Sequence, residues 1–292
     1  MINFQRPEVI YNGYDNFVKQ KILENCDTEQ IPYSRNIPAW WLVCVSENHL
    51  GNARIIPFVT SMGIIPLVFL LSKEITKDRR ISILSAMLMG INPIFLIFND
   101  SSAFHQFWAV ALLGAIYMTY KKPILSIPLF AFAVITKPMA LLFIPVMLML
   151  TIKSRKIFYL HMMLSSMFVI VSLSMDTIIQ TKTVLFLPTS ESVASGLHNV
   201  YWNLTKHLSV AFIPVLGFAL FHKNKLVHFL IISSIVEIAT LPMFTIYTTF
   251  PYRLVPLMAF VSIGISLSAK NIWDYRQKKL IAKQSIKSYG RV

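Results

Sequence analysis

The chain has 292 residues, 55% of them hydrophobic and only 14% charged, with a mean hydropathy of +0.60. A soluble domain carries about a quarter of its residues as charges, so this composition excludes an ordinary water-soluble fold and predicts an all-α, polytopic membrane protein. The net charge of +14 raises nucleic acid as a partner, but in a membrane chain Lys and Arg collect in the cytoplasmic loops, and their placement accounts for the charge without nucleic acid.

In chain order, residues 1–53 precede the first long apolar run and read as a loop with interfacial helices. Tyr14, Phe17, Val18 and Ile22 fall on one helix face, and Ile37 to Val45 form an apolar patch with Trp40 and Trp41. Trp favours the membrane interface, so this segment is expected on the bilayer surface, with Asp15 at headgroup level. Its two cysteines, Cys26 and Cys44, could pair in an oxidising compartment, and the favoured reading is two unpaired small apolar side chains.

A spanning helix needs roughly 20 mostly apolar residues, with a low end near 17. Nine candidates follow, at 55–72, 81–98, 103–120, 123–136, 138–152, 157–175, 207–221, 226–246 and 254–270. The fourth and fifth are short and meet at Lys137-Pro138, so a re-entrant hairpin is the other reading of that pair. Three regions result: the loop 1–53, a helical domain 54–270 that includes a loop at 176–206, and a basic tail 271–292.

Alternating these spans from an outside N-terminus puts Lys73, Lys77, Arg79, Arg80, Lys121, Lys122, Lys153, Arg155, Lys156, Lys223, Lys225, Lys270 and the six cations of the tail inside. Only Arg6, Lys19, Lys21, Arg35, Arg54, Lys137, Lys182, Lys206 and Arg253 are left outside. The two-to-one excess gives an extracytoplasmic N-terminus and a cytoplasmic C-terminus by the positive-inside rule, and the tail is a second candidate as a patch for lipid headgroups. This orientation requires residues 1–53 to cross with no span ahead of them. Either a further helix precedes them, or a short polar segment inserts without one.

Several stretches, in this order, resemble the GT-C glycosyltransferases, polytopic enzymes that use polyprenyl-phosphate sugars and include mannosyltransferases. An Asp-containing first loop is followed by NARIIPFVTSMGIIPLVFLLSKEI and by MLMGINPIFLIFND with Asn92-Pro93. Next come AFHQFWAVALLGAIYMTYKKP, then LFAFAVITKPMALLFIPVML with a Thr-Lys-Pro turn, and lastly FPYRLVPLMAF. The similarity covers about residues 10–152 and, more thinly, 245–268. The chain departs from the family's pattern in two ways. No helix precedes the first loop, and the acidic pair stands as Asp15-Asn16.

The resemblance implies a membrane transferase moving a sugar from a polyprenyl-phosphate carrier to a glycan, lipid or protein acceptor on the extracytoplasmic side. Such transfer needs a base for the acceptor hydroxyl and cations for the departing phosphate. Asp15 is the candidate base, against an ordinary role as helix N-cap. Arg253 and Lys137 are candidate phosphate ligands, Arg through its planar fork and Lys as a point charge, against snorkelling to the headgroups. Asp100, His105 and Gln106 cluster between the second and third spans as candidate acceptor contacts, or as an incomplete set for a divalent metal. Glu237 falls within the eighth span, where a carboxylate lines a substrate path or is protonated and packed. The competing functions are a transporter or lipid-carrier translocase, and a catalytically inactive GT-C-like subunit.

Overall fold

A computed structural model describes residues 37–99, 105–152, 154–178, 212–244 and 254–289, together with Cys26 and Ala194. Every regular element among the described residues is a helix, as the apolar periodicity implies. In order they are α1 (Ile37–Leu50), α2 (Ile55–Met62), α3 (Ile64–Thr76), α4 (Arg79–Gly90), α5 (Pro93–Phe98), α6 (His105–Lys121), α7 (Pro123–Thr136), a 3-10 helix (Pro138–Phe143), α8 (Ile144–Thr151), α9 (Arg155–Ile178), α10 (Phe212–Ala219), α11 (Lys225–Phe244) and α12 (Val255–Tyr289).

Prolines set where these helices break. Pro66 has no N–H to return to Met62, so α2 and α3 meet in a tightened turn at Gly63, whose N–H bonds the Thr60 carbonyl at 3.0 Å. Pro93 pushes Asn92 to extended backbone and ends α4 early. The Asn92 side chain then accepts from the N–H groups of Ile94 and Phe95 at 3.0 and 3.3 Å, so the Asn-Pro pair is a helix start, with Pro in the first turn. Pro145 likewise leaves the Leu141 carbonyl without an α-helical donor, and the chain from Pro138 to Phe143 takes the tighter 3-10 form.

Among the described residues two helices are long and apolar enough to cross a membrane: the α2–α3 unit, Ile55–Thr76 with 22 residues, and Val255–Ile281 with 27. Pro123–Thr136, Ala140–Thr151 and Lys225–Val236 are shorter apolar helices. The first ten residues of α12, Val255 to Gly264, are all buried, which makes it the central helix, with α3, α4, α5, α6, α10 and α11 around it. The tail read as a separate segment from residue 271 is instead the continuation of α12 to Tyr289. No Gly or Pro interrupts it, and its Lys, Gln, Leu and Ala are good helix formers.

α6 and α7 form an antiparallel hairpin, and so do α3 and α4. Within the second, Ser85 Oγ donates to the Ile81 carbonyl at 2.9 Å, which leaves Ser72 as the donor of the 3.0 Å bond between the two buried hydroxyls. Such a bond between helices serves where no water is at hand. At one end of the bundle Lys77 closes α3 in the left-handed conformation (φ 54°), and Asp78 caps α4 by accepting from the Arg80 N–H at 2.9 Å. Lys270 of α12 reaches Asp78 at 3.1 Å, while Lys121 at the end of α6 pairs with Glu74. Lys270, ahead of the Arg80 N–H, holds the Asp78 carboxyl below its ordinary range. Lys73, Lys77, Arg79, Arg80, Lys121, Lys122 and Lys270 therefore share one pole.

Cys26 and Cys44 form a disulfide with Cα atoms 5.5 Å apart, which corrects the reading of two unpaired thiols. Nothing in the spacing of two cysteines announces whether α1 turns Cys44 toward its mate. The bridge joins residues 18 apart, a loop whose closure stabilises by ~3 kcal/mol on the chain-entropy account. Replacing both cysteines with Ser is expected to lower the unfolding free energy by about that amount. Unchanged melting, with both thiols alkylated in the native wild-type protein, would contradict the pairing.

Candidate functional site

The pole opposite the ion-paired turns gathers the start of α6, the end of α7 and helix α1. α1 ends at Gly51, which takes the left-handed conformation (φ +69°) that glycine adopts freely. Ser46 Oγ then donates to the Asn52 carbonyl at 2.6 Å and accepts from the Ile56 N–H at 3.0 Å, and Asn52 Oδ1 accepts from the Arg54 N–H at 2.9 Å. These bonds fix α1 to the top of α2. Its Ala39, Trp40, Val43 and Cys44 bury against Ala53 and Phe107, with Phe132 of α7 packed alongside. The two tryptophans part company: Trp40 is 9% exposed and turned into the protein, while Trp41 is 58% exposed. The interfacial reading thus fits Trp41 and not Trp40.

Of the residues singled out in the sequence, Lys137 and Gln106 are described in full. Lys137 follows the last turn of α7 in extended conformation, its N–H on the Ala133 carbonyl at 2.8 Å, and its carbonyl receives the Ala140 N–H at 2.9 Å. The turn therefore holds Lys137 between two helices by its backbone. Gln106 is fully buried in the first turn of α6. The hairpin brings these two residues to the same end. His105 begins α6, and Glu237 lies within α11; for both, the backbone alone is described. Asp15, Asp100 and Arg253 lie outside the described residues. Among the described residues, buried Asn99 ends α5 and buried Leu254 leads into α12, and those two helices pack together.

Two side chains stand out at this pole, Trp40, which the sequence placed at the interface, and Thr136, which it passed over. The Trp40 indole Nε1 and the Thr136 Oγ1 are both buried and, like the buried Gln106 Oε1, have no hydrogen-bond partner among the described residues. A buried polar group left unsatisfied costs about 1–3 kcal/mol. The Thr-Lys-Pro turn was visible as a motif, yet only its cation drew notice, because burial of the threonine depends on packing that no local pattern reports.

Two histidine sites lie elsewhere. Ser126 Oγ donates to the Pro123 carbonyl at 2.5 Å, so the 2.9 Å bond between Ser126 and His161 has the imidazole Nε2–H as donor, and it joins α7 to α9. At the turn from α10 to α11, the rings of His222 and His228 stack with centroids 4.3 Å apart. Burial, and then the neighbouring His228, push the His222 imidazole down to about 4, so that it is neutral at physiological pH. Among the described residues, no group of three His, Cys, Asp or Glu side chains is gathered to hold a metal ion. Comparison of the chain with family models, with characterised proteins and with solved structures finds no match.

Proposed function

We propose that this protein is a GT-C-like membrane transferase of nine spans, with its N-terminus on the extracytoplasmic side, moving a sugar from a polyprenyl-phosphate carrier to an extracytoplasmic acceptor. The observation that carries the reading is the separation of the two poles. The ion-paired, cation-rich turns collect at one, and Gln106, Thr136 and Lys137 collect at the other beneath a disulfide-bonded helix. A disulfide belongs to an oxidising compartment, which supports an extracytoplasmic position for α1. It also limits where Asp15 goes, because Cys26 is fixed to α1 and lies only 11 positions further along the chain. At about 3.5 Å per residue, Asp15 stays within roughly 45 Å of Cys44.

In the proposed reaction the Asp15 carboxylate takes the proton of the acceptor hydroxyl, whose oxygen attacks the sugar's anomeric carbon. The bond from that carbon to the carrier phosphate breaks, with inversion, and the electron pair leaves on the phosphate. Lys137 and Arg253 neutralise the charge that grows there. Acceptor contacts fall to Asp100, His105 and Gln106, and Glu237 lines the approach within α11. The test is transfer of radiolabelled mannose or glucose from its polyprenyl-phosphate carrier by vesicles containing the folded chain. Loss of label from the carrier, dependent on the protein, is the expected result. Intact donor in the presence of folded protein and a range of acceptors would remove the transferase reading.

A further inference from the structure

The ion-paired pole carries a feature that sugar transfer does not use. The basic tail is the end of the central helix, and it runs on past the bundle as far as Tyr289. Lys270, held by Asp78, marks where α12 leaves its neighbours, because Val255 to Gly264 are buried whereas Trp273 to Ile281 are exposed at every position. At 1.5 Å per residue, Trp273 and Tyr275 stand about 5–8 Å beyond Lys270, within the thickness of a headgroup layer. Trp273 is 64% exposed and Tyr275 68%. Being two positions apart, they lie about 200° apart around the helix. A protein or nucleic acid docked on one side of α12 would leave one of the two rings in water. A headgroup layer surrounds a helix that passes through it, and Trp and Tyr favour that layer.

Positive charge follows the aromatics. From residue 271 to its end the chain has six cations, Arg276, Lys278, Lys279, Lys283, Lys287 and Arg291, against one carboxylate, Asp274. Positions 276, 279, 283 and 287 are spaced to fall on one face of the helix, where like charges repel. Position 274 falls on the opposite face, so Asp274 does not offset the row. Anions from outside the chain relieve such a row. Positions 276 to 279 lie about 9–14 Å past Lys270, within one Debye length, about 8 Å, of the outer edge of the headgroup layer. Acidic phospholipids provide a surface of negative charge there. On the membrane orientation proposed above, we propose that Arg276, Lys278 and Lys279 bind the headgroups of acidic phospholipids in the cytoplasmic leaflet, with Trp273 and Tyr275 seated in the headgroup layer between them and the bundle. Because α12 is the central helix, this collar anchors the core of the protein to that leaflet.

The test uses the full chain in phosphatidylcholine vesicles with a trace of spin-labelled phosphatidylglycerol or spin-labelled phosphatidylcholine, where the motionally restricted part of the spectrum reports lipid held at the protein. The wild type is expected to prefer phosphatidylglycerol by about fivefold, the effect of one Lys or Arg at an acidic surface, and to lose the preference in about 1 M salt. The triple variant Arg276→Gln, Lys278→Gln, Lys279→Gln is expected to lose most of it. A second triple variant, Arg79→Gln, Arg80→Gln, Lys122→Gln, removes the same charge from exposed positions at the same pole and is expected to keep most of it. Equal loss in the two variants, or a wild type that does not distinguish the lipids, would overturn the collar and leave the membrane orientation standing. In the second case, a fluorescent RNA oligomer bound by the wild type and released by the first variant would give the face to nucleic acid instead. A wild type that restricts neither lipid would overturn the spanning helices, and the collar with them. No sugar donor is present, so a failure of transfer counts against the transferase alone.

Discussion

Asp15→Asn is expected to lower sugar transfer by about 10²–10⁴-fold, the range over which a positioned general base contributes. The substitution is chosen because it separates two roles. Asn and Asp serve about equally as helix N-caps, so a carboxylate that only started the helix after it would leave both activity and melting temperature nearly unchanged. A base cannot be replaced by an amide, which does not take up a proton near neutral pH. Retained transfer in vesicles of Asp15→Asn would remove Asp15 from the mechanism. Lost transfer with an unshifted melting point would leave the base as its role.

The second large effect lies in the fold. Gly264 sits where the central helix α12 crosses the end of α10, and a Cβ built there overlaps the Ala219 carbonyl oxygen, with Ile231 Cδ1 at 3.1 Å and the Ala219 carbonyl carbon at 3.2 Å. The obstacle is backbone, which cannot swing aside as a side-chain tip can. Small residues allow such close crossings of helices. Gly264→Ala is expected to cost about 3 kcal/mol, the upper part of the range for overpacking, and to show as a clear fall in melting temperature. Gly217→Ala is the control, because a Cβ at that position of α10 meets nothing within 4 Å. An alanine there gains helix propensity, worth about 0.5–1 kcal/mol. Equal melting of the two variants would mean that α10 and α12 do not cross at Gly264.

These residues also mark what the sequence can and cannot convey. The limits of α7 at Pro123 and Thr136 were readable to the residue, because a proline starts the helix and a Lys-Pro pair ends it. The segment read as 81–98 carried its own break in Asn92-Pro93, but a window of apolar residues smooths over a two-residue interruption. The run of α12 past residue 270 was hidden for the opposite reason. Charge ends an apolar segment without ending a helix, and no breaker follows. Long-range matters were not legible at all. Nothing local distinguishes Trp40 from Trp41, pairs Cys26 with Cys44, or tells that a glycine 264 residues into the chain faces a carbonyl near residue 219. Of the candidate site, the sequence supplied the cation of the Thr-Lys-Pro turn and the polar start of α6, and the hairpin joins them. The buried donors above them follow only from how α1 packs.

Everything proposed about the site depends on the two poles facing opposite sides of a membrane, and that can be measured directly. The two cysteines of the chain are bonded to each other, so the wild type offers a membrane-impermeant maleimide no thiol. Single cysteines are then introduced at His49, exposed at the end of α1, and at Lys122, exposed in the turn between α6 and α7. In sealed vesicles of known orientation, His49→Cys is expected to label only from the extracytoplasmic side and Lys122→Cys only from the cytoplasmic side. Labelling of both from the same side would contradict the account.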